Sequence, residues 1–306
     1  QYIGHADARY SHDVYVRGDT MYSSDIYAGF LSITDVSQKD APVLLATQPT
    51  PFDFTHNAWV SDDGKTVFTT DERGNAPVAS YDISDLNDIT LLDEFRPLAT
   101  INQGVIPHNA HVLNDYLVIS YYTDGGIIVD AARPDNLIEV GNYDTFLGGN
   151  GGFGGNWGAY PFLPSGLILL SDRSSGLFVV EPNYVRACYL EGQVTDAEDG
   201  AMLSDVEVEI QSSQLNQTTT NNLGVYKTGQ ATAGTFDVTF NKYGYRPRTI
   251  SIDLANGELT TLNVELEPLP SFTILGQTIQ KSDGSPIPNA QVVIINENGS
   301  NTAETN

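Results

Sequence analysis

A chain of 306 residues with 39 acidic and 14 basic side chains, a formal net charge of −25, lacks the Lys/Arg surface that nucleic-acid phosphates need. Its one cysteine, Cys188, rules out an internal disulfide, and no apolar run approaches the length of a membrane-spanning helix. With 16 tyrosines, 12 phenylalanines, 28 glycines and no long helical periodicity, the composition predicts an all-β chain with room for two or three domains. The acidity fits an extracellular surface, a salty habitat or divalent cations, and does not choose among them.

Residues 1–184 are organised by a motif that returns: Ser11-His12-Asp13-Val14-Tyr15-Val16, Thr55-His56-Asn57-Ala58-Trp59-Val60, Pro107-His108-Asn109-Ala110-His111-Val112 and Asn156-Trp157-Gly158-Ala159-Tyr160-Pro161. The aligned residues His12, His56, His108 and Trp157 are 44, 52 and 49 residues apart, the period of a β-propeller blade. Each copy leads through a polar turn into an apolar strand ending in an acid: Asp25, Asp71, Asp124 or Asp172. Arg17-Gly18-Asp19, Asp62-Asp63-Gly64-Lys65, Asn114-Asp115 and Pro164-Ser165-Gly166 supply the turns. Four blades are legible, and a closed propeller commonly has more. The expectation is an incomplete ring, finished by further blades or by another chain. The chain also begins inside one repeating pattern and stops inside another, which predicts a segment of a longer polypeptide.

These repeats resemble the choice-of-anchor B proteins, secreted bacterial proteins built from LVIVD-type propeller repeats. The segment from Gly155 to Val180 carries the resemblance most specifically. It implies a secreted or cell-surface protein held by an anchor, with no established reaction.

Residues 183–187 read as a short linker, and from Cys188 the pattern changes. Gly192-Gln193, Asp199-Gly200 and Val206-Glu207-Val208-Glu209-Ile210 open a small β-sandwich over residues 188–268. It resembles the carboxypeptidase regulatory-like domain, a prealbumin-like module common in secreted proteins of the Bacteroidetes. The resemblance implies a spacer without catalytic residues. Gly276-Gln277, Asp283-Gly284 and Val292-Val293-Ile294 repeat the pattern 84 residues on, so residues 271–306 begin a second, truncated module. Tandem modules suggest a stalk, and the sandwich is expected to make few contacts with the blades.

The first strand of each propeller blade lines the channel, so residues at one repeat position converge. His12, His56 and His108 are therefore candidate ligands for a transition metal. The alternative is structural, with the His-Asp/Asn pairs locking neighbouring blades by hydrogen bonds. His111 aligns with Tyr15 and Trp59 and reads as a packing residue. The acid row, with Glu72 beside Asp71, could take Ca²⁺ or close turns. Gly149, Gly151 and Gly154 match a dinucleotide fingerprint by letter but lack its βαβ setting. They read instead as a loop at the channel mouth, anchored by Phe153 and Trp157. Arg17-Gly18-Asp19 has the letters of an integrin-binding tripeptide but sits in an ordinary hairpin turn. Two functional classes stay open. One is binding or scaffolding at the bacterial envelope, with an extracellular protein or glycan as ligand. The other is a metal-dependent oxidase or hydrolase working in a histidine-lined channel.

Overall fold

The computed structural model describes residues 1–6, 9–270, 275–296 and 299–304. Four antiparallel meanders come first. Blade 1 comprises β1 (Asp13–Arg17), β2 (Thr20–Asp25), β3 (Phe30–Asp35) and β4 (Val43–Pro49), and blade 2 comprises β5 (Thr55–Val60), β6 (Thr66–Asp71), β7 (Val78–Asp82) and β8 (Thr90–Phe95). Blade 3 comprises β9 (Asn109–Leu113), β10 (Tyr116–Ser120), β11 (Gly126–Asp130) and β12 (Ile138–Tyr143). Blade 4 has only three strands, β13 (Asn156–Tyr160), β14 (Ile168–Asp172) and β15 (Gly176–Val180). After Val180 the chain turns away to the sandwich, and among the described residues no fourth strand joins this blade.

The strands follow from hydrophobic runs punctuated by residues that accept a left-handed backbone. Asn114 and Asp115 both take positive φ, which makes the two-residue turn between β9 and β10. Inner blades are covered on both faces, so β6 and β10 are buried throughout. Leu31, Ile33, Val60, Val67 and Tyr81 fill the seam between blades 1 and 2. Phe68, Val78, Val112, Leu117, Ile119 and Ile127 fill the next seam. Val118, Ala159, Ile168 and Leu170 fill the third. The outward faces of blades 1 and 4 leave Val14, Val16, Leu177 and Val179 exposed.

The sandwich pairs two sheets. One holds β16 (Cys188–Asp196), β19 (Val225–Gln230), β22 (Leu259–Thr261) and β23 (Val264–Leu266). The other holds β17 (Glu207–Ile210), β18 (Gln217–Thr219), β20 (Gly234–Asn241) and β21 (Arg248–Leu254). Leu190, Val194, Val208, Tyr226, Phe240 and Leu266 are among its core residues. Of the second module, residues 271–274 lie outside the described residues. Residues 297–298 and 305–306 lie outside them too, and in its later part β24 (Gln291–Asn296) pairs antiparallel with β25 (Gly299–Glu304).

The sandwich is docked, against the expectation of few contacts. Ala187 and Tyr189 pack against Tyr116, Ile138 and Val140 of blade 3. Arg186 pairs with Asp130 at 2.8 Å, and the Ala187 amide donates to the same carboxylate at 2.7 Å. Arg133 reaches Glu191 at 2.9 Å, and Lys227 pairs with Asp135. The stretch read as a linker is thus part of a seam. It runs across the outer part of blade 3, where its one arginine meets a fully buried carboxylate.

Candidate functional site

β-bulges at the start of β5 and β13 shape two segments of the inner wall. In β5, Thr55 pairs with Asp71 and Asn57 with Thr70, which leaves His56 as the extra residue. In β13 the same shift leaves Trp157 extra between Asn156 and Gly158. The amides of His12 and His108 bond Ser24 and Ser120, the residues that Asp13 and Asn109 already face. In blades 2 and 4 the bulged residue is released from strict alternation and re-aimed, whereas His12 and His108 immediately precede β1 and β9. Those four residues make a continuous ladder: ring centroids are 4.4 Å apart for His12 and His56, 4.2 Å for His56 and His108, and 5.0 Å for His108 and Trp157.

The ladder is graded in exposure. His12 is exposed, His56 and His108 are buried, and Trp157 is about half exposed. A second tier lies beside it, in which Trp59 contacts Tyr15 and His111, and Phe162 stacks on Trp59. His111 belongs to that packing tier.

Among the described residues, the ligand atoms that converge come from two of the three histidines and an acid. His56, His108 and Glu72 offer ligand atoms that all lie within 4.8 Å of one another, and His12 stands outside that cluster. His56 Nε2 is 3.8 Å from one Glu72 oxygen, and His108 Nε2 is 3.7 Å from the other. The His56 Nδ1–H donates to the His108 carbonyl at 3.0 Å, which leaves Nε2 with its lone pair turned toward Glu72. Burial holds the His56 imidazole below its ordinary pKa despite the nearby Glu72. Burial, reinforced by the neighbouring His56, pushes His108 down to about 3. Both shifts favour the neutral imidazole, the form that ligates. His108 Nδ1 is buried and faces the Trp157 backbone without completing a hydrogen bond.

Tyr122 orients the carboxylate. Its hydroxyl donates to Glu72 Oε1 at 2.6 Å, and burial together with that bond raises its pKa, so it stays a donor. Tyr122 has φ of 38°, a left-handed conformation that an aromatic side chain rarely adopts. Reciprocal backbone bonds with Asn156, 2.8 and 3.0 Å long, hold it there. Phe153 packs edge-on against the Tyr122 ring at 5.4 Å, so it touches the support of the cluster.

Asp13 and Asn57, the residues after His12 and His56, carry an inter-blade lock. Asn57 donates to Asp13 at 2.9 Å and accepts from the Ala110 amide at 3.0 Å, tying blade 2 to both neighbours. The acid row is filled by protein donors. Thr50 and the amides of Phe52 and Phe54 donate to Asp71, Thr100 donates to Asp124, and Thr145, Ser174 and Ser175 donate to Asp172. These carboxylates pin the connection entering each blade, an arrangement that favours closure over Ca²⁺. Arg17 donates to the carbonyls of Ser61 and Asp62 in the turn of blade 2, so it serves blade contact. The glycine-rich run spans a loop between β12 and β13, and a strand follows it where a nucleotide fold would place a helix.

Residues 189–267 match the model of the carboxypeptidase regulatory-like domain. That segment is a carboxypeptidase regulatory-like domain. Among curated proteins, none matches the chain. Of solved structures, the periplasmic gluconolactonase of Pseudomonas aeruginosa is similar at 15% identity with a TM-score of 0.46, covering 71% of this chain and 56% of that one. A minor pilin of Streptococcus agalactiae is similar at 13% identity with a TM-score of 0.24, covering 39% and 66%. The Cps50 β-propeller domain of Myceliophteria thermophila is similar at 9% identity with a TM-score of 0.39, covering 85% and 91%. The chain thus spans little more than half the length of the gluconolactonase, and likenesses this distant assign no activity.

Proposed function

We propose that this chain is part of a secreted or cell-surface protein whose blades, over residues 1–184, recognise an extracellular protein or glycan. The modules over 188–268 and 271–306 would be its stem. The observation that carries this reading is the docked seam between blade 3 and a carboxypeptidase regulatory-like domain. Arg186, Arg133 and Lys227 each pair with a carboxylate there, so the stem would hold the blades in one orientation. The restart of the module 84 residues on and the likeness of the blades to choice-of-anchor B proteins support the same role. Trp157 and Phe153, each about half exposed at the mouth, offer the aromatic surface that such ligands favour.

The test is antibody labelling of intact cells producing the full-length protein. Labelling without permeabilisation is expected; labelling only after permeabilisation overturns the reading. A second reading, a metal-dependent enzyme, is favoured by the convergence of His56, His108 and Glu72. It stands only if the cluster holds an ion.

A further inference from the structure

We propose that His56 Nε2, His108 Nε2 and the Glu72 carboxylate bind one divalent first-row transition-metal ion, with a coordination position left for water or a ligand. This inference does not depend on the surface role. The separations are its first support. At 3.7 and 3.8 Å the imidazole nitrogens are too far from Glu72 for direct hydrogen bonds. Two ligands about 2.1 Å from a shared ion stand roughly 3.4 Å apart in tetrahedral geometry, so small side-chain shifts would close the site.

The second support is the fixing of each group from behind. The His108 carbonyl sets the His56 tautomer, and the Tyr122 hydroxyl orients Glu72. Outer partners of this kind recur around metal ligands. Tyr122 holds its post from a left-handed backbone that a packing role alone does not call for. The third is the donor set itself. Two imidazole nitrogens and one carboxylate suit Zn²⁺ or Fe²⁺ and disfavour Ca²⁺, which takes oxygen ligands. Trp157, the next residue of the ladder, cannot ligate, and His12 lies outside the cluster.

The experiment is calorimetric titration of the chelator-stripped 306-residue chain with Zn²⁺, repeated with Co²⁺ while following its visible absorption. One equivalent is expected, with no competition from Ca²⁺. His56→Gln and His108→Gln should each weaken binding at least about 100-fold. Tyr122→Phe should keep the stoichiometry and weaken binding about 10-fold. His12→Ala should bind as the parent does. Absence of stoichiometric uptake, parental affinity in His56→Gln, or loss of the ion in His12→Ala each overturns the assignment. Should circular dichroism show a histidine variant unfolded, Glu72→Gln, which preserves side-chain volume, decides. It should lose at least about 10-fold in affinity, and parental binding would sink the proposal.

Discussion

At the scale of single residues, the wall depends on side chains that serve two neighbours at once. Asn57 is buried and bonded to blades 1 and 3. Asn57→Ala leaves the Asp13 carboxylate without that donor and the buried Ala110 amide without its acceptor. It should cost about 2–3 kcal/mol, read as a lowered urea midpoint. The sequence showed the locking motif, because His-Asp/Asn recurs in three blades. It also showed which histidines share a row. It did not show that Glu72, not His12, joins His56 and His108. Glu72 has no counterpart of its kind in the other blades: Ile26 and Arg173 follow the corresponding acids. A repeat argument finds only what repeats, and this cluster arises from a departure. The support from Tyr122 was equally hidden, since its aim depends on a φ value that residue type does not announce.

At the scale of elements, the bulge explains why simple strand alternation misjudges the inner wall. Alternation separates His108 from His111 by faces, and the two do occupy different tiers. The bulges, however, set the aim of His56 and Trp157, and no local sequence signature marks them. Strand β12 carries another consequence. Burial, helped by Asp124, raises the Glu139 carboxyl to about 7, and burial raises Asp124 to about 6. Between about pH 4.5 and 7 the folded chain keeps protons that the unfolded chain has released, so stability falls as pH rises through that window. Glu139→Gln should match the parent near pH 4.5 and exceed it at pH 8 by about 1–2 kcal/mol, allowing for partial contact with water. Chemical denaturation at the two pH values checks this. Glu139 lines a groove of about 760 Å³ between blade 3 and the sandwich, together with Arg96, Gln214 and Lys227.

At the scale of the molecule, the fold class was readable because blade period, turn residues and the change of pattern at Cys188 all survive in one sequence. The seam was not, because Arg133, Arg186, Glu191 and Lys227 are scattered single charges that acquire partners only in three dimensions. The seam should make unfolding of blades and sandwich cooperative. Arg186→Ala takes the cation from the buried Asp130 carboxylate, which keeps the Ala187 and Ala132 amides, and should cost about 1–2 kcal/mol. Calorimetry should show the parent melting in one transition and the variant in two; two transitions in the parent would mean the seam is too weak to couple them.

The position of the seam also has a mechanical meaning. The sandwich follows blade 4 in the chain but rests on blade 3. Tension applied through the proposed stem would therefore be met by the Arg186–Asp130 and Arg133–Glu191 contacts. It would not first peel β15 from the end of the array strand by strand. Blade 4, with Leu177 and Val179 open to solvent, would be shielded from the pull by its neighbour.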